Sequence, residues 1–153
     1  MVSGTLLALA WAGWAILIAW IDWRHRRVNN RWWLIALPLA ILTPFALHDG
    51  WAWAVFLSLT GLLLALVSHL GVWSRGWIGG ADVKAYAIVG WSFGALFLLE
   101  VFAIASLMLA VAACLQRRRA EQRHRRIPML PALSASVLAW IFTGPWWVGG
   151  QGF

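Results

Sequence analysis

Cysteine occurs once in the chain, at Cys114, which excludes an intramolecular disulfide and any metal centre built on paired thiolates. It lies in an apolar run, where a small buried thiol is the expected state. Charge is equally scarce: 11% of the 153 residues are charged, whereas soluble domains carry roughly a quarter. Acidic residues number only five, against twelve Lys and Arg. No repeat, low-complexity linker or domain boundary interrupts the sequence, so residues 1–153 read as one domain. What fills the space is apolar. With 63% hydrophobic residues and a mean hydropathy of +0.78, no water-soluble globule of this size could hide its surface, and lipid must be the solvent for most of it.

A net charge of +7 would suggest nucleic acid in a soluble protein, but the basic residues fall in three clusters separated by apolar runs. These are Arg24, Arg26, Arg27 and Arg31; Arg75 and Lys84; and Arg117, Arg118, Arg119, Arg123, Arg125 and Arg126. Such spacing is the positive-inside pattern, so the expected partner is a bilayer with anionic lipids and not nucleic acid. The apolar runs are Leu6 to Ile21, Trp32 to Leu47, Trp51 to Trp73, Ala85 to Leu115 and Leu130 to Val148. The first lacks a basic leader region and reads as a retained span. As one helix the fourth run would extend roughly 46 Å against a hydrocarbon core of about 30 Å. A single pass there would also put the last Arg cluster on the opposite side. A turn between Trp91 and Glu100, where Ser92 and Gly94 supply turn chemistry, repairs both problems. The expected fold is an all-α, polytopic integral membrane protein of about six transmembrane helices with both termini extracytoplasmic. Most of the fourteen Trp, including Trp20, Trp23, Trp32, Trp33, Trp51, Trp53 and Trp73, fall near expected span ends, where indole rings favour the interface. Trp11, Trp14, Trp91 and Trp140 do not, and are expected to pack between helices.

Five acids can be weighed singly. Asp49 sits in a His-Asp-Gly turn, and Glu121 lies four residues before Arg125, the spacing of a helical surface ion pair. Glu100 is either at the outer interface, if the chain turns near it, or a buried carboxylate that needs a partner. Asp22 and Asp82 differ in kind, since one ends the first span and the other begins the fourth, each against a basic loop. The two therefore share a depth and a side. Each alone could simply mark a helix end. Brought together, two carboxylates cannot both ionise cheaply, so the pair shares a proton and offers one general base and one general acid. Among other candidates, His25 lies three residues beyond Asp22, His69 has no His or Cys nearby to build a metal site, and Ser134 and Ser136 lack a paired base.

Around these acids the chain reads Gly79-Gly80-Ala81-Asp82-Val83-Lys84, and Asp22 followed by Arg24, Arg26, Arg27 and Val28-Asn29-Asn30. These segments resemble the two aspartate motifs of the type IV prepilin peptidases, Gly-Gly-x-Asp-x-Lys and an Asp followed by a basic stretch and Ile-Pro-Asn. Arg126-Ile127-Pro128 with Pro131-Ala132-Leu133 is similar to a third segment of that family. The chain departs from the pattern at Asn29, where the family has Pro, and at Ala81, where the broader Gly-x-Gly-Asp class has Gly. The resemblance implies a single membrane-embedded aspartic peptidase domain in the bacterial cytoplasmic membrane, with Asp22 and Asp82 catalytic and Gly79, Gly80, Lys84 and Asn30 in support. It implies no metal and no cofactor. The implied substrate is a prepilin or pseudopilin whose basic leader is cut off at the cytoplasmic face. Larger members carry paired Cys-x-x-Cys motifs associated with N-methylation, which one cysteine cannot supply. Two rivals stand beside this reading: a non-catalytic membrane assembly subunit related to these peptidases, suggested by Asn29 and Ala81, and a small transporter that relays protons through Glu100.

Overall fold

A computed structural model describes residues 2–25, 28–76, 78–117 and 130–143. Five helices account for nearly all of them: α1 (Val2–His25), α2 (Asn30–Leu47), α3 (Trp51–Ser74), α4 (Gly80–Arg117) and α5 (Leu130–Thr143). No strand occurs among the described residues. Apolar chain in a solvent without hydrogen-bonding capacity must satisfy its own backbone, and helices do so within one segment. Four described helices, α1 to α4, are long and apolar enough to cross a membrane, with α4 counted once.

α4 is not one rod. Gly94 interrupts it at φ 85° and ψ −179°, a backbone region essentially closed to residues with a Cβ. The rings of Tyr86 and Phe102, on either side of Gly94, lie 6.0 Å apart, whereas a continuous helix would separate those positions by about 24 Å. The chain therefore doubles back at Gly94, inside the window that length and parity predict. Glu100 lies beyond the reversal and is exposed, not buried in the interior.

α3 makes the tightest contact with this hairpin. A Cβ at Gly61 would overlap the Gly90 carbonyl, and one at Gly90 would stand 2.5 Å from the Gly61 oxygen. Small residues of this kind let membrane helices approach backbone to backbone. α4 also packs on α2 and α5, and α1 closes the bundle against α5 and α2. The shared core includes Trp11, Trp14 and Ile18 from α1, Trp33 from α2, Val89, Phe93 and Phe97 from α4, and Leu133 and Val137 from α5. The outer surface is apolar as well, with Leu9, Ile41, Phe56, Val67 and Leu107 exposed, as suits a chain surrounded by acyl tails.

The indoles sort mostly as expected. Trp20, Trp23, Trp51, Trp53 and Trp73 are exposed near helix ends, and Trp11 and Trp14 are buried. Trp33 departs from expectation: it is buried 5.8 Å from the ring of Trp14, edge to face. Its place in the first turn of α2 aims it at α1 instead of outward. Trp11 donates its indole N–H to Thr43 Oγ1 at 2.8 Å, and Thr43 in turn donates to the Leu39 carbonyl at 2.6 Å. The hydroxyl thus ties α1 to the second half of α2. Cys114 also departs from expectation, being exposed. In a chain whose outside is as apolar as its inside, an apolar neighbourhood does not imply burial. Arg26, Arg27, the Arg-rich segment 118–126 with Glu121, Ile127-Pro128, and the end of the last expected span beyond Thr143 lie outside the described residues.

Candidate active site

The end of α1, the start of α2 and the start of α4 meet at one end of the bundle. Asp22 sits in the last turns of α1, half-buried, and Asp82 in the first turn of α4, also half-buried. The two carboxylates come close enough for the Asp22 charge to act on Asp82. α1 continues through His25, which is exposed.

Local chain chemistry fixes Asp82. The Gly79 carbonyl accepts the backbone N–H of Asp82 at 3.1 Å and of Val83 at 3.4 Å, making Gly79 the capping residue of α4. The Gly79 N–H donates back to Asp82 Oδ2 at 2.9 Å, which is the acidic half of a capping box. One carboxylate oxygen is thereby anchored. A Cβ at Gly79 would sit 3.2 Å from Asp82 Oδ2, whereas one at Gly80 would meet Trp73 Nε1 at an ordinary 3.6 Å. Gly79 is thus the glycine with a steric reason at this site. Both glycines are exposed, so the backbone beside Asp82 is bare.

Lys84 points away from Asp82, as two residues along a helix require. Its ammonium donates to Asn30 Oδ1 at 2.6 Å, tying the first turn of α4 to the first residue of α2 across 54 positions of sequence. Asn30 and Lys84 therefore join the two segments that carry the aspartates.

Both departures from the motif are structurally neutral. Asn29 caps α2, accepting the Arg31 N–H on its side-chain oxygen, with φ −69° and ψ 147°. That φ is the value proline is locked to. Asn29 thus keeps the backbone path that Pro would impose and adds a cap. Ala81 is helical and packs against the core, and the described positive-φ glycines are Gly50, Gly76 and Gly94, so position 81 makes no demand for glycine.

Sequence reasoning missed the Lys84–Asn30 bond and the return bond from Gly79 to Asp82. The second was available from spacing, since a residue and an acid three positions later at a helix start is a capping signature. It weighed His69 only as a metal ligand and missed its packing. This residue is buried, with Nδ1 2.9 Å from the Ala65 carbonyl and 2.8 Å from Ser68 Oγ, and its ring stacks on Tyr86 at 4.0 Å. Among the described residues no group of three or more His, Cys, Asp or Glu could hold a metal ion.

Residues 9–114 match the type IV leader peptidase family. A prepilin leader peptidase/N-methyltransferase of Bacillus subtilis (strain 168) is 29% identical over 133 residues. That alignment covers 83% of this chain and 52% of the relative, so the chain spans about half the length of the curated protein it matches. No solved structure matches. With two aspartate segments meeting at one end of a helical membrane bundle and a family match over most of its length, this chain belongs to the type IV leader peptidase family.

Proposed function

We propose that the protein is an aspartic endopeptidase that removes the basic leader from prepilins or pseudopilins at the cytoplasmic face of the bacterial inner membrane. The observation that carries this reading is the match of residues 9–114 to the type IV leader peptidase family, with Asp22 in the last turn of α1 and Asp82 in the first turn of α4. Like charges held together share a proton. The ionised carboxylate takes a proton from water as its oxygen attacks the scissile carbonyl carbon, and the protonated one donates to the leaving amide nitrogen as the C–N bond breaks. The anchoring of Asp82 Oδ2 by Gly79 supports a fixed orientation for this exchange. The exposed backbone at Gly79 and Gly80 gives an extended cleavage segment room to lie beside the carboxylates.

The Arg-rich loops repel a basic leader, so substrate selection rests on the apolar helix that follows the leader, and the arginines face anionic lipid. The assignment is to leader cleavage. The reversal at Gly94 supports counting the arms of α4 as two crossings, which with α1, α2, α3 and α5 gives six and leaves both termini extracytoplasmic.

Co-expression with a prepilin tests the activity. The wild-type chain is expected to convert the precursor to its shorter form, and Asp22→Ala and Asp82→Ala are each expected to leave it uncut. Cleavage that persists in either variant removes the aspartic mechanism.

A further inference from the structure

Two buried polar atoms behind Asp82 have no hydrogen-bond partner among the described residues: Nε2 of His69 and the hydroxyl of Tyr86. His69 is 3% exposed and Tyr86 fully buried. Their chemistry is complementary. The Ala65 carbonyl can only accept, so the bond at His69 Nδ1 places the imidazole proton there. The neutral ring then presents Nε2 as an acceptor, and the Tyr86 hydroxyl is a donor. The ring stack at 4.0 Å and 25° holds the two side chains together, and Phe102 closes against both, 5.6 Å from His69 and 6.0 Å from Tyr86. A donor and an acceptor buried without partners in apolar surroundings are costly, and a bound water is the usual resolution.

Tyr86 also lies one helical turn beyond Asp82 on the same face of α4, a spacing at which side chains meet, and the Asp82 charge reaches its hydroxyl. α3 and both arms of α4 contribute to this arrangement, so it depends on the reversal at Gly94 that brings Phe102 back to the depth of Tyr86.

We propose that His69 Nε2 and the Tyr86 hydroxyl hold a buried water behind Asp82, and that this pair positions the Asp82 carboxylate for peptide hydrolysis. The inference rests on the proteolytic reading above. His69 and Tyr86 are positioning residues, acting on the reaction through water and Asp82. The ligand is water itself, bound as acceptor from the tyrosine and donor to the imidazole, with its second proton free for the carboxylate.

Tyr86→Phe is the decisive variant, because it removes the hydroxyl and keeps the ring stack. Deleting a buried hydroxyl that makes no bond to protein should leave thermal stability unchanged or higher. A purely structural tyrosine therefore predicts an unaltered enzyme. The proposal predicts cleavage of a prepilin with kcat lowered about tenfold and KM unchanged, the effect of losing one hydrogen bond made in the transition state. His69→Leu is expected to match it, and His69→Gln, which retains a polar atom at the end of the side chain, to recover most of the rate. Wild-type kcat in Tyr86→Phe, or a change confined to KM, overturns the proposal while leaving the aspartic reading intact. Cleavage surviving in Asp82→Asn removes both.

Discussion

At the scale of single residues the site is a matter of what each side chain is tied to. Asp82 is bound to the Gly79 N–H and Lys84 to Asn30, so one short helix start serves both the carboxylate proposed to react and the link to the opposite segment. An ammonium-to-amide hydrogen bond at an exposed position contributes modestly to stability, about 1 kcal/mol. Its value to the site is register. Replacing either partner should let the start of α4 drift relative to α2 and so widen the separation of Asp22 and Asp82. Lys84→Met and Asn30→Ala are expected to lower the cleavage rate several-fold each, and the double variant to fall no further than either single, since both remove the same bond. Rate measurements on the four proteins of this cycle check it, and additive losses would mean that the two residues act separately.

The placement of Asp22 and Asp82 at helix ends beside basic residues was legible in the sequence, because acids are so few that their position against the basic clusters stands out. The Lys84–Asn30 bond was not, since no periodicity connects positions 54 apart. The stack of His69 on Tyr86 was invisible for the same reason. Burial of Trp33 was unreadable for another: a tryptophan near a span end satisfies interface and core equally well by composition, and only the aim of the first turn of α2 decides.

At the scale of elements, the α3 and α4 interface sets the geometry of the bundle. Gly61 meets Gly90 and Gly94 with no room for a side chain, and of these three Gly94 occupies a backbone region that L residues avoid. Gly94→Ala is therefore expected to destabilise by about 1–3 kcal/mol, read as a lowered Tm in detergent. Because the reversal also brings Phe102 against His69 and Tyr86, the same substitution should reduce cleavage. An unchanged Tm would contradict the assignment of Gly94 as the hinge of the reversal. The existence of a turn in this stretch followed from length and charge parity. Gly94 was also offered by the sequence as a turn residue, beside Ser92; that the reversal falls at Gly94 and not at Ser92 goes with the close approach of Gly61 on α3, which no local signal in α4 encodes.

At the scale of the whole molecule, apolar surfaces inside and out leave charge as the main guide to orientation. Asp22, Asp82, Asn30 and Lys84 gather at the end of the bundle that also carries Arg24, Arg31 and Arg75. If that end is cytoplasmic, a reporter fused after the turn at His48-Asp49-Gly50, at the far ends of α2 and α3, is expected to behave as extracytoplasmic. A reporter inserted near Arg75 should behave as cytoplasmic. The reverse pattern would put the aspartates on the wrong side for a basic leader.

The proximity of two carboxylates carries the proposed chemistry, and conservative amide variants probe it with the least change of shape. Purified wild-type, Asp22→Asn and Asp82→Asn proteins, reconstituted in vesicles with a prepilin carrying a basic leader, can be compared by the rate of leader release. The wild type is expected to cleave and both amide variants to lose at least about a thousandfold in kcat, since each lacks one half of the acid and base pair. Leader release at an undiminished rate in either variant would contradict the central claim.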